Sequence, residues 1–134
     1  MAAANADDLK NVSLFSDLDA RQLKKLAGHF RERQVQAGTV LTREGEMSGV
    51  GFFVVAEGAA AVSVGGDDVK TLGPGDHFGE VALVSERERT ATVTATSDLR
   101  VLEIAFWDFR DFAHANPDVT WKLLQHVVAL IQPA

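Results

Sequence analysis

Ten of the 11 glycines fall between positions 38 and 79, and the eleventh is Gly28. Glycine reaches positive φ without steric cost, so such a run dictates tight turns at short intervals and leaves no room for a helix between them. The residues between the glycines are largely apolar or β-branched. Short extended segments are therefore expected around Val35 and over 39–41, 52–55, 59–64, 69–72, 81–84, 92–96 and 99–104. Gly65-Gly66-Asp67-Asp68 reads as a hairpin and Gly73-Pro74-Gly75-Asp76 as a turn. About eight strands with no helix among them predict an α+β, mainly β chain. Its centre would be an eight-stranded antiparallel jelly-roll barrel, flanked by N-terminal and C-terminal helices.

Helical periodicity appears only on either side of this region. Asp19 with Gln22 forms a capping-box pattern, and Leu23, Leu26 and Phe30 then recur on one face while Lys24 and Lys25 face water. Leu14, Phe15 and Leu18 read as apolar anchors in a short turn that docks this helix. After the strands, Phe106, Phe109 and Phe112 mark an amphipathic helix over 106–113. Asn116-Pro117-Asp118 reads as N-cap, first-turn proline and dipole-matched acid of a last helix reaching about Ile131. That helix carries two adjacent apolar stripes. Val119, Leu123, Val127 and Leu130 form one, and Trp121, Leu124, Val128 and Ile131 the other. So wide an apolar face predicts that it packs on two surfaces or meets another subunit.

At 134 residues the chain is expected to form one domain. It divides into an N-terminal helical segment (1–30), the strand region (31–104) and the C-terminal helices (105–131). A formal net charge of −6 argues against a general nucleic-acid or anionic-membrane surface, so an anionic ligand needs a locally focused site. With no cysteine, disulfides and thiol chemistry are excluded. The start carries neither a basic nor an apolar leader, and no apolar run has membrane-spanning length. A cytoplasmic location is the resulting expectation.

The segment with most chemistry is Phe78-Gly79-Glu80-Val81-Ala82-Leu83, followed after five residues by Arg89-Thr90-Ala91-Thr92-Val93. Glu80 can accept hydrogen bonds from a pair of sugar hydroxyls, and Gly79 beside it permits close backbone approach. Arg89 presents a planar fork of donors that fits two phosphate oxygens. Ala82, Thr90 and Ala91 are small enough for nearby backbone amides to reach the same anion. A turn of helix over 83–88 would bring the two ends around one ligand. A glutamate and an arginine nine residues apart are also commonly no more than surface charges, so the flanking pattern carries the reading.

That pattern resembles the phosphate-binding cassette of the cyclic-nucleotide-binding domain family, here over 78–93. The likeness extends along most of the chain. Leu14-Phe15-Ser16-Asp17-Leu18 resembles the start of the family's N-terminal helices, and Gly38-Thr39-Val40-Leu41 with Glu44-Gly45-Glu46 its early strands. Phe52-Phe53-Val54-Val55-Ala56-Glu57-Gly58 resembles its central strand, and Gly73-Pro74-Gly75-Asp76 the turn before its cassette. The resemblance implies that Gly79 and Glu80 take the ribose, and that Arg89, with Ala82, Thr90 and Ala91, takes the cyclic phosphate. A threonine directly after the arginine is associated in the family with guanine, so cGMP stands beside cAMP as ligand. The last helix would be a lid over the base, with Leu123, Leu124 and Val127 as candidates. Glu88 stands where the family often has proline, and Glu86 and Glu88 place two negative charges beside the phosphate site.

Three functions follow. The first is a non-catalytic cyclic-nucleotide sensor in signal transduction, with no metal or further cofactor, in which ligand repositions the C-terminal helices. No basic recognition helix of the kind a transcription factor of the family carries lies before Ala134. The chain is accordingly expected to be a stand-alone domain or one cut from a larger protein. The second is a degenerate fold that binds no nucleotide and assembles as a homodimer, or with an effector, through the last helix. The third is a cupin-like metalloenzyme, disfavoured because His77 is the only histidine of the strand region.

Overall fold

The computed structural model describes residues 4–46, 51–79, 89 and 91–131. Short 3₁₀ turns at Ala6–Asp8 and Ser13–Phe15 lead into α1 (Ala20–Ala27). Among the described residues eight strands follow: β1 (Arg31–Val35), β2 (Val40–Thr42), β3 (Phe52–Glu57), β4 (Ala60–Val64), β5 (Asp67–Leu72), β6 (His77–Phe78), β7 (Thr92–Ala95) and β8 (Leu99–Ile104). The chain ends in α2 (Phe106–Ala115) and α3 (Pro117–Ile131). The strand expected over 81–84 and the helical turn expected over 83–88 lie outside the described residues. The two-residue strand β6, too short to give a periodic signal, was not foreseen.

All strand pairs are antiparallel, in two four-stranded sheets ordered β1-β8-β3-β6 and β2-β7-β4-β5. The arrangement is the expected jelly roll, but it is an open roll of two facing sheets and not a closed barrel. The strands are two to six residues long, and β5 keeps its outer edge in water with Asp67, Asp68 and Lys70 exposed. A charged, solvated edge resists further pairing, closure included. The β4–β5 hairpin turns through Gly65 and Gly66, both at positive φ, as the sequence predicts. The Gly73–Asp76 turn closes with Asp76 N–H donating to the Gly73 carbonyl at 3.0 Å.

The apolar side chains sort into two clusters, one on each face of the first sheet. Along β3, Phe53 and Val55 point between the sheets, where they meet Leu72, Phe78, Val93 and Val101. Phe52 and Val54 point the other way, into a cluster with Phe15, Phe30, Leu102, Ile104, Phe112, Val119 and Leu123. Alternation of period two explains how one strand serves both. A strand buried on both faces reads as a continuous apolar run. Phe52 meets Phe15 and Phe30 edge-on, with ring centroids 6.0 and 6.2 Å apart, the geometry aromatic quadrupoles favour.

The helices form where their caps predict. The Asp19 carboxylate accepts from Gln22 N–H at 2.9 Å, and the Gln22 amide oxygen accepts from Asp19 N–H at 3.1 Å. Asn116 departs from its predicted role as a side-chain cap of α3. Its Nδ2 donates to the Phe112 carbonyl at 2.9 Å and its Oδ1 accepts from Lys25 Nζ at 3.1 Å. It closes α2 and ties the α2–α3 corner to α1.

Candidate ligand site

The site is built where β3, β6 and the segment before β7 converge. Gly79 follows β6 with φ +84°, a conformation that L side chains rarely adopt. A Cβ placed on Gly79 would lie 2.8 Å from the Gly51 carbonyl oxygen and 3.0 Å from Nη1 of Arg89. The missing side chain is thus the space in which the guanidinium lies. Arg89 Nη2 donates to the Gly51 carbonyl at 3.0 Å. The backbone of Arg89 is fixed as well. Its N–H donates to the Glu46 carbonyl and its carbonyl accepts from Gly45 N–H, both at 2.9 Å.

The flanks of this pairing are also bonded. Thr42 Oγ1 donates to the Ala91 carbonyl at 3.2 Å, and Thr92 Oγ1 accepts from Glu44 N–H at 3.0 Å. Arg89 is half-buried, and loss of water around the guanidinium pushes its pKa below the ordinary arginine value. A half-buried guanidinium bonded to the Gly51 carbonyl can form charge-assisted hydrogen bonds to an anion.

Of the residues expected to touch ligand, Gly79 and Arg89 are brought together, and Ala91 is half-buried with its carbonyl held by Thr42. Glu80, Ala82 and Thr90 lie outside the described residues, as do Glu86 and Glu88. The three lid candidates separate. Leu123 is buried with the N-terminal helices, whereas Leu124 and Val127 are exposed. Sequence reasoning missed Gly51 and the Gly45–Glu46 pair as the framework that aims Arg89. Their only signal was the glycines themselves, since main-chain groups do the work. Among the described residues no group of His, Cys, Asp or Glu is arranged to hold a metal ion. No helix there is long and apolar enough to cross a membrane.

Residues 32–116 match the family described as the cyclic nucleotide-binding domain. The chain belongs to that family. The cAMP-dependent protein kinase regulatory subunit of Yarrowia lipolytica is 43% identical over 95 residues, which is 69% of this chain and 25% of that protein. Among solved structures, the N-terminal domain of a transcriptional regulator from Streptomyces coelicolor A3(2) superposes with a TM-score of 0.86 at 28% identity, covering 93% of this chain and 92% of that one. The regulatory domain of Toxoplasma gondii PKA, crystallised with cAMP, superposes at 0.71 with 30% identity, covering 90% and 48% of the two chains. This cyclic-nucleotide-binding domain therefore spans about a quarter of the curated regulatory subunit it matches.

Proposed function

We propose that the chain is a non-catalytic sensor of a cyclic nucleotide, cAMP or cGMP, acting in the cytoplasm. The observation that carries this reading is the meeting of Gly79 and Arg89 across a cassette-like segment. In this reading Glu80, with Gly79, takes the ribose 2′-hydroxyl. Arg89 takes the exocyclic phosphate oxygens, with Ala82, Thr90 and Ala91 lining the anion. Thr90 leaves guanine open beside adenine. Leu124 and Val127, with Leu123 if α3 leaves its present seat, supply the lid. Ligand then shifts the helices by contacting one position of α3 better than another.

Isothermal titration of the purified chain with cAMP and cGMP tests it. One of them should bind, and Arg89→Ala should weaken that binding at least about 30-fold, the effect of truncating one partner of a dehydrated charge pair. A 2′-deoxy analogue should bind more weakly through the loss at Glu80. No binding of either nucleotide at millimolar concentration refutes the sensor.

A second reading rests on α3. Trp121, Leu124, Val128 and Ile131 are 61, 51, 50 and 73% exposed and repeat at spacings of three, four and three. That is the seam of a two-helix coiled coil, with β-branched Val128 and Leu124 in the positions favouring a parallel pair. It supports assembly of two copies through α3 without nucleotide. A monomer in sedimentation at 100-micromolar order concentration refutes it.

A further inference from the structure

On the sensor reading α3 must move, and the question is what holds it now. Its apolar hold on the domain is confined to its first half, through Val119 and Leu123. From Leu124 to Ile131 no residue is buried, and His126 alone is half-buried. Thr120 Oγ1 ties the helix to the Ala113 carbonyl of α2 at 2.8 Å, and its side-chain bonds to the N-terminal elements lie on one ridge, at Asp118, Lys122 and His126, spaced four residues apart. An acid and a base at that spacing ordinarily pair with each other. Here a neutral amide from another element comes between them. Gln22 Nε2 donates to Asp118 Oδ2 at 3.0 Å, and Gln22 Oε1 accepts from Lys122 Nζ at 2.7 Å. One turn on, His126 Nδ1 lies 3.2 Å from Asp17 Oδ2.

Gln22 is one of two buried polar residues of the described core, 9% exposed. Its side chain uses both ends. The amide nitrogen serves α3, and the oxygen is shared between Lys122 of α3 and the N–H of Asp19 that caps α1. An amide can donate to the acid and accept from the base in one orientation. A seam of this kind differs from an apolar one in how it opens. Each bond has a small net worth because water replaces it on release. An apolar seat of the same size would expose hydrocarbon instead.

We propose that Gln22 is a latch: its amide holds α3 on the N-terminal helix, and nucleotide binds tightly only once that amide is released. The proposal rests on the sensor reading and names the positioning residue that regulates its site. Gln22 touches no ligand; it acts through the position of α3. A latched helix lowers apparent affinity in proportion to the fraction of molecules latched.

The test uses the whole chain. Because it contains no cysteine, Lys70→Cys and Gln125→Cys, both at exposed positions, accept a spin-label pair without interference. The interlabel distance then reads α3 against the roll. Gln22→Met and Lys122→Met remove the polar ends and keep the stems. In Gln22→Met the distance distribution should broaden without nucleotide, and the nucleotide bound by the wild type should bind about tenfold tighter. Combined with Lys122→Met the gain should not exceed that of Gln22→Met alone, since both act through one amide. A folding defect would weaken binding, so a gain separates latch from scaffold.

A distance distribution unchanged in Gln22→Met overturns the latch, and if that variant does not fold, the same result in Lys122→Met does so. A changed distribution with unchanged affinity overturns the link to the site. Absence of any binding in wild type and variants refutes the sensor reading instead, and the label distances then decide the latch by themselves.

Discussion

The close approach at Gly79 can be measured by setting it against another glycine. Gly38 and Gly79 have nearly the same φ, +91° and +84°. A Cβ on Gly38 would have nothing within 4 Å, whereas one on Gly79 would meet the Gly51 carbonyl oxygen at 2.8 Å and Arg89 Nη1 at 3.0 Å. Alanine at either site carries the left-handed penalty, about 1–2 kcal/mol. Each recovers about 0.4–1 kcal/mol from a stiffer unfolded chain. Gly38→Ala should therefore cost about 0.5–1 kcal/mol. Gly79→Ala adds the collision with a carbonyl fixed in place by β3, about 1–3 kcal/mol by comparison with overpacked cores. Its total is about 1.5–4 kcal/mol. For a chain of 134 residues, 1 kcal/mol moves the midpoint of thermal unfolding by about 3–4 °C. Urea denaturation and calorimetry of both variants measure the difference. If Gly79→Ala falls within about 0.5 kcal/mol of Gly38→Ala, the Gly79 space is not needed to seat Arg89, and the account of the site's geometry is wrong.

Two further outcomes follow from the charged network and the α3 seam. Arg100 holds Asp8, Glu32 and Glu57 at 3.0, 2.9 and 3.0 Å, contacts that raise its pKa, the hydrogen bond to Asp8 most. Arg100→Met should cost about 2–4 kcal/mol in urea unfolding by leaving three carboxylates facing each other, and part of the loss should return in 1 M salt. The Asp118 carboxyl is held below the usual carboxylate range, first by the Gln22 hydrogen bond and then by the N–H of Val119. A folded-state pKa lowered in this way gives stability that is present above the ordinary value and is lost as pH falls through the folded one. Carboxyl NMR should therefore find Asp118 titrating low in the wild type and higher in Gln22→Met; an equal midpoint in the two would deny the bond in solution.

What was legible in the sequence was whatever rests on local rules. The Asp19–Gln22 capping box, the Gly65–Gly66 turn and the Phe52–Val55 run each depend on a few neighbouring residues, and each stands as read. Asn116 takes the N-cap position as read, its carbonyl accepting from Thr120 N–H at 3.1 Å, but its side chain closes α2, since the same residue suits either end. The choice was made by Lys25, 91 positions away, which competes for its Oδ1. The jelly roll was legible, but that it stays open was not, for a related reason. Alternating strands predict sheets, but closure depends on edge pairing, which Asp67, Asp68 and Lys70 discourage without breaking the strand pattern. In the site, side chains were legible and main-chain partners were not. Arg89 announces itself by its charge, while the Gly51 carbonyl that aims it has no letter of its own. Gln22 was visible as a cap, but its second partnership, with Asp118 and Lys122, lies about a hundred residues away.

Gly51 is where the site and the helices come closest along the chain. Its carbonyl accepts from Arg89, and a Cβ added to it would collide with the main chain of Ile104 and Ala105, just where β8 ends and α2 begins. The next residue, Phe52, fills the cluster that seats Phe15, Phe30 and Phe112. On the proposed reading, an anion drawing on the guanidinium would act on backbone that adjoins the start of α2. Proximity alone does not make a pathway; coupling needs an element with two arrangements that both sites bias. The packed aromatic cluster is a poor candidate, because dense cores resist graded deformation. The α3 seam is a better one. Its polar bonds are exchangeable with water, and its outer half has no buried side chain to withdraw. A small movement at Gly51 would reach α3 through α2 and the Asn116 corner, which Lys25 ties to the same helix that carries Gln22. The rigid part of the fold would then transmit the shift, and the polar part would decide whether α3 responds.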